Sequence, residues 1–168
     1  TVAIACPDLE YRYTRSVVQG FVQQAAESGL HPMVYFTRLS NASEFEFLAD
    51  LRNSGIEGVA FWLQHPCERT IDLLHRFQRA HFPFVLIDRY VRSLDADFVV
   101  TDNADLCWRL TKNLIGRGHE CIGFITSELD NTTNEDRYAG YRRALREAGV
   151  PFEQDWIGIL QPDGRPIE

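Results

Sequence analysis

Val-Val-Thr-Asp-Asn (99–103), a helical pattern, Gly118-His119, Cys-Ile-Gly-Phe-Ile (121–125), a polar loop, and Arg-Tyr-Ala-Gly-Tyr (137–141) follow one another up to Gly149. This stretch decides the fold. Apolar runs of about five residues bounded by turn formers predict buried parallel strands, and helical periodicity between them predicts crossover helices. The joints agree with that reading. Thr101 and Asp102 are N-cap types for a helix whose inner face would be Leu106, Cys107, Leu110 and Leu114, with Gly116 and Gly118 placed to end it. Thr132 with Glu135 three residues on reads as a capping box for a helix burying Tyr138, Tyr141, Leu145 and Ala148. Gly149 and then Pro151 stop it.

The same alternation runs upstream. Val2–Cys6 reads as a strand ended by Pro7, and a polar, aromatic loop leads into a helix with Val17, Val18, Phe21, Val22 and Ala25 on one face. Met33–Phe36 is the next strand. Ser43 with Glu46 predicts another capping box, opening a helix with Phe45, Leu48 and Leu51 inward. Gly58–Leu63 is a third strand. Pro66 precedes a helix burying Ile71, Leu74 and Phe77, and Phe84–Ile87 and Phe98–Thr101 complete the set. A further strand is expected near Trp156–Leu160, and Gln161–Glu168 reads as loop. Strands alternating with helices predict an α/β fold, a parallel sheet with crossover helices on both faces.

Composition excludes several classes. The 168 residues suffice to bury about 70% of the surface of the unfolded chain. A net charge of −7 argues against a nucleic-acid surface on this stretch, because phosphate binding takes clustered Lys and Arg. No apolar run approaches the ~20 residues of a membrane span, and no signal peptide is visible. Thr1 begins directly in a strand pattern, compatible with upstream residues having been removed. Cys6, Cys67, Cys107 and Cys121 are scattered without metal spacing, and read as small buried hydrophobes in a reducing compartment.

Ligands bind such sheets at the carboxyl ends of the strands. Those ends carry Asp8 to Tyr13, Phe36-Thr37, Gln64-His65, Asp88-Arg89, Asp102-Asn103 and Ser127 to Thr133. Acids, amides, hydroxyls, an arginine and aromatics suit a polyhydroxylated small molecule better than a phosphate or a lipid. Enzyme and cofactor motifs are absent: no G-x-G-x-x-G after a strand, no Walker loop, no G-x-S-x-G elbow and no H-E-x-x-H. No cofactor and no metal are therefore expected. His119, between a helix stop and a strand, reads as a turn residue, and Glu128 and Asp130 as a solvated loop.

Asp102-Asn103, Leu114-Ile115, Gly118-His119, Ile122-Gly123-Phe124-Ile125, Arg137, Gly140-Tyr141, Ala144-Leu145 and Gly149 together resemble the effector-binding domain of the lactose-repressor (LacI/GalR) family of transcription regulators. The resemblance extends upstream through Pro7-Asp8, Gly20, Gly55 to Val59, and Pro83 to Arg89, and so covers nearly the whole chain. It implies a periplasmic-binding-protein type I fold, in which two similar subdomains close on a sugar, nucleobase or related effector in the cleft between them. It further implies a cytoplasmic homodimer, no membrane, and DNA contact only through a helix-turn-helix domain N-terminal to Thr1 and absent from this chain.

On this resemblance residues 1–117 form the first subdomain and 118–168 the start of the second. A full effector domain is longer, so a truncated or incompletely represented chain is expected. Tyr13 matches an aromatic that stacks on effectors, Asn131 and Thr133 lie in a loop that supplies contacts, and Arg137 matches an arginine that forks to ligand oxygens. Asp102 or Asp105 would lie near the hinge, and Asp8, Gln64 and Arg89 complete the expected effector-binding set. Plainer readings stand beside these: Tyr13 stapling its helix, Arg137 pairing with Glu135 or Asp136, Asp102 serving as a cap. Leu106 and Cys107 depart from the small residues usual in the family at that point, and Trp108, turned from the leucine face, is expected to touch another subunit or subdomain. The alternative of another class is the solute-binding protein of a sugar importer, which shares the fold. The unpaired cysteines and the Gly118-His119 and Arg137 to Tyr141 patterns speak against it. Fold alone does not decide function.

Overall fold

The computed structural model describes residues 1–37, 41–51, 54–64, 67–127 and 131–160. The chain divides into two compact units, Thr1–Val100 and Thr101–Glu168.

The first unit holds β1 (Val2–Cys6), α1 (Arg12–Glu27), β2 (Pro32–Phe36), α2 (Asn41–Asp50), β3 (Gly58–Phe61), α3 (Glu68–Arg79), β4 (Phe84–Ile87) and β5 (Phe98–Val99). The strands form one sheet in the order β2-β1-β3-β4-β5. All pairs are parallel, with Ile4 opposite Val34 on one side and Ala60 on the other. Alternation along the strands sorts the core into two layers. Ala3, Ala5, Val59, Phe61 and Leu86 face Phe47, Leu48, Leu51, Leu74 and Phe77 of the α2 and α3 side. Ile4, Cys6, Ala60, Trp62 and Ile87 face Val18 on α1, with Val17, Phe21 and Val22 packed around them. Helices thus cover both faces, as a buried parallel sheet requires.

One helix starts earlier than its capping signal. α2 begins at Asn41, so Ser43 falls inside the first turn, and its side chain lies outside the described residues. The buried face also differs: Phe47 takes the place of Phe45 in the core, stacked on Tyr35 with ring centroids 4.2 Å apart. Phe45 is half-buried beneath the Arg69 guanidinium, 4.1 Å from the ring centre. His65 and Pro66 lie outside the described residues, as do Glu128, Asp130 and the tail from Gln161.

The second unit holds α4 (Asn103–Gly116), β6 (Phe124–Thr126), α5 (Thr132–Ala148), a short 3-10 turn (Gln154–Trp156) and β7 (Ile157–Ile159). β6 and β7 pair in parallel. Ile122, Tyr141 and Leu145 form the core, and the Tyr141 hydroxyl donates to the Ile122 carbonyl at 2.7 Å. Gly149, at φ 66°, closes α5 in the left-handed region that glycine reaches without strain. The Gly118-His119 turn follows α4, with the His119 N–H on the Leu114 carbonyl. Among the described residues no helix is long and apolar enough to cross a membrane.

The structure corrects the sequence reading of this unit on α4 and on α5. Leu106, Leu110 and Leu114 are 42%, 58% and 40% exposed rather than inward. The side of α4 that meets α5 carries Ala104 and Trp108 instead, and it is Gly140 on α5 that lets the two backbones touch: a Cβ there would lie 2.1 Å from the Ala104 carbonyl oxygen. Trp108 meets α5: its indole N–H donates to Glu147 at 2.8 Å, and its ring is flanked by Arg143 and by Lys112 of α4 itself. In the division into compact units α4 groups with α5. The α5 cap is Asn131, not Thr132, since the helix starts at Thr132, and Ala144 is buried where Ala148, in the last turn, is exposed. The cysteines also differ in environment: Cys6 is buried, Cys67 and Cys107 are half-buried and Cys121 is exposed, all four as free thiols.

Candidate functional site

The residues expected to touch an effector fall into two groups, one in each unit. In the first unit they sit at the carboxyl edge of the sheet. β1 lies between β2 and β3, so successive crossovers leave it in opposite directions, the arrangement that opens a crevice beyond strand ends.

Asp8 follows β1 and accepts the Glu10 N–H at 2.8 Å, which shapes the turn before α1. Its charge, after burial, contributes to pushing the Cys6 thiol up to about 11. Tyr13, in the first turn of α1, is 51% exposed and meets Trp62 edge-on at 5.4 Å between ring centroids. Trp62 was not singled out in the sequence; its position just past β3, alternating with Phe61 and Leu63, was the available signal. It is buried and holds an aromatic in the open.

Gln64 is gripped through its backbone. Its N–H donates to the Glu44 carboxyl at 2.9 Å, and its carbonyl accepts from Arg89 Nη1. Arg89 Nε also lies 3.8 Å from Asp88. Asp88 adopts φ 68°, a conformation costly for a residue with a Cβ, and its N–H bonds the Val99 carbonyl at 3.0 Å. Strand ends β3, β4 and β5 are thus tied together here.

In the second unit the acidic candidates are occupied structurally. The Asp102 carboxylate caps α4, accepting the Asp105 N–H at 2.9 Å, and Asp105 pairs with Arg109 at 2.6 Å one turn along. Asn131 caps α5 through the Asn134 N–H at 3.0 Å. Asn131, Thr132, Thr133 and Asn134 are all buried, with the Asn134 amide donating to Ser127 at 2.9 Å.

Arg137 is different. Its Nε donates to Asn103 Oδ1 at 2.8 Å, and its two terminal nitrogens make no further hydrogen bond among the described residues. Asn103 is 4% exposed and is itself locked, its side-chain amide and its backbone N–H both donating to the Thr101 carbonyl. Arg137 is therefore anchored at one nitrogen and presents the other two as a planar fork, the geometry that takes two oxygens at once. Its charge also favours the thiolate of Cys107, though burial outweighs it and raises that thiol. The sequence reading quoted Asn103 only as part of a pattern. Its role as the anchor of Arg137 depends on α4 lying against α5, a tertiary contact with no local signature.

Two apolar grooves lie away from these groups. One of about 490 Å³ runs between α2 and α3, and another of about 550 Å³ lies beside α1 at the amino ends of β1, β3 and β4. Neither offers the polar lining a hydroxylated ligand needs. Among the described residues no group of three or more His, Cys, Asp or Glu side chains could hold a metal ion.

The family model for periplasmic binding proteins and the sugar binding domain of the LacI family matches residues 3–166. The HTH-type transcriptional regulator DegA of Bacillus subtilis is 23% identical over 156 residues, which are 93% of this chain and 46% of that protein. The crystal structure of the transcription regulator CcpA of Lactococcus lactis superposes with a TM-score of 0.84 at 20% identity, over 94% of this chain and 57% of that one. The complex of the transcriptional regulator CelR with cellobiose gives 0.80 at 21%, over 97% and 51%. These superpositions establish the fold, and the chain spans about half the length of the curated relatives it matches. The match over nearly all of its length shows that the chain belongs to the family of periplasmic binding proteins and sugar binding domains of LacI-type regulators.

Proposed function

We propose that this chain is the sensing part of a LacI-type transcriptional regulator and binds a sugar or a similar polyhydroxylated effector, with Arg137 as the principal charged contact. The observation that carries the reading is the Arg137 fork, anchored by Asn103 and open at both terminal nitrogens among the described residues. Neighbouring hydroxyls of a sugar ring match two such donors. From the first unit, exposed Tyr13 on its Trp62 support offers a ring face to the apolar side of a sugar, and Gln64 offers an amide. The structural neighbour CelR is a complex with cellobiose, which supports a carbohydrate. The curated relative DegA is an HTH-type transcriptional regulator, which supports a cytoplasmic protein that reads DNA through a separate domain. Effector binding would then shift DNA affinity by its differential affinity for two arrangements of the protein.

The test is calorimetric titration of the complete regulator with a panel of mono- and disaccharides that includes cellobiose. Saturable binding of one sugar is expected, and Arg137→Ala should weaken it by roughly 1.5–3 kcal/mol, the scale of a charged hydrogen bond. Unchanged affinity removes Arg137 from the site. A panel without any binder overturns the carbohydrate reading.

A further inference from the structure

Glu44 has no exposed surface at all, an unusual place for a carboxyl group. It lies in the first turns of α2, a helix that otherwise contributes Phe47 and Leu48 to the core. One of its oxygens accepts the N–H of Gln64, twenty positions on and past the end of β3. From the other side, Arg89 donates to the carbonyl of the same residue. Arg89 follows Asp88, whose left-handed backbone turns the chain at the end of β4.

Gln64 is consequently held on both sides through its main chain, while its own side chain takes part in neither bond. A loop peptide after a strand ordinarily finds water; here α2 and the end of β4 supply the partners. We infer that Glu44 and Arg89 are positioning residues that clamp the main chain of Gln64 and thereby set the direction in which its side-chain amide is presented. The clamp assigns Arg89 a role distinct from the direct effector contact expected of it. It also explains why a carboxyl group is kept in an apolar layer where leucine or methionine would pack: an apolar side chain would leave the Gln64 N–H without an acceptor. The presentation of Gln64 to an effector rests on the function proposed above, whereas the clamp itself does not.

The experiment separates the two. In the complete regulator, Glu44→Gln keeps an acceptor oxygen and Glu44→Met removes it at similar volume. Amide hydrogen exchange of Gln64, followed by NMR, should match wild type in Glu44→Gln and run about tenfold faster in Glu44→Met, with Ile4 and Ala60 exchanging as in wild type. Equal exchange at Gln64 in all three proteins overturns the clamp, as does equal loosening in both variants. Should Glu44→Met fail to fold, a through-hydrogen-bond scalar coupling between the Gln64 amide nitrogen and the Glu44 carboxyl carbon of the wild type decides it: its detection supports the clamp and its absence overturns it. Cellobiose titration of the same proteins addresses presentation separately. If wild type binds cellobiose, Glu44→Met should bind it more weakly and Glu44→Gln should restore the affinity. If no panel sugar binds, the carbohydrate reading falls while the exchange data still judge the clamp.

Discussion

Asn103 and Arg137 act as one unit, and a double-mutant cycle exposes that. Removing Asn103 frees a guanidinium that was held at 2.8 Å, so Asn103→Ala should weaken sugar binding by about 0.5–1.5 kcal/mol, less than loss of Arg137 itself. The double variant should bind no worse than Arg137→Ala alone, because Asn103 works only through its partner. Additive losses in calorimetry would show an independent role for Asn103. The cysteines divide in the same residue-level way. Burial pushes the Cys6 thiol up to about 11, while the Thr70 hydroxyl and nearby backbone N–H groups at the start of α3 pull Cys67 down. Native alkylation near neutral pH, read by mass spectrometry, should modify Cys67 and exposed Cys121 and spare Cys6. The linkage has a definite sign. Between the ordinary thiol range and about 11 the unfolded chain gives up the Cys6 proton and the folded one keeps it, so this contribution to stability is present below that window and lost as pH rises through it. Cys6→Ala should flatten the alkaline arm of the stability profile.

Two helix glycines make opposite predictions at the level of elements. Gly20 lies within α1 with nothing within 4 Å of a built Cβ, so Gly20→Ala should stabilise by about 0.5–1 kcal/mol through helix propensity alone. Gly140 sits in α5 where a Cβ would meet the Ala104 carbonyl oxygen at 2.1 Å, so Gly140→Ala should destabilise by about 1–3 kcal/mol or more despite that same propensity. Urea unfolding of the complete protein measures both. The contrast also shows what was legible. Strand positions in the first unit, the alternation that sorts its two core layers, and the stop at Gly149 were readable because they depend on local patterns. The face of α4 was not. Its leucines have the spacing of an inward stripe, yet Ala104 faces α5 and Thr111 is buried in their place, because the glycine at 140 brings the two backbones into contact on that side. Likewise Asp102 was legible as a cap while Asn131 was read only as a contact, and its cap bond to the Asn134 N–H shows once the helix is seen to begin at Thr132. Arg137 was legible as a candidate; its anchor was not.

At the scale of the whole chain, Leu106, Leu110 and Leu114 leave an apolar stripe in the open. Such a surface favours association, so this 168-residue chain on its own should self-associate as its concentration rises, and Leu110→Glu should suppress that in sedimentation experiments. No change on substitution would mean that the stripe is covered. The parallel sheet of the first unit has a practical consequence too. Because its five strands all point one way, every residue discussed there as a contact or a clamp lies at one edge, and the turns at Gly29, Gly55 and His81 lie at the other. Those turns are open ground for grafting. A short reporter peptide inserted between Gly29 and Leu30, where the chain is exposed, would ride on the far side of the sheet and leave Tyr13 and Gln64 undisturbed, turning the domain into a readable probe of its own effector.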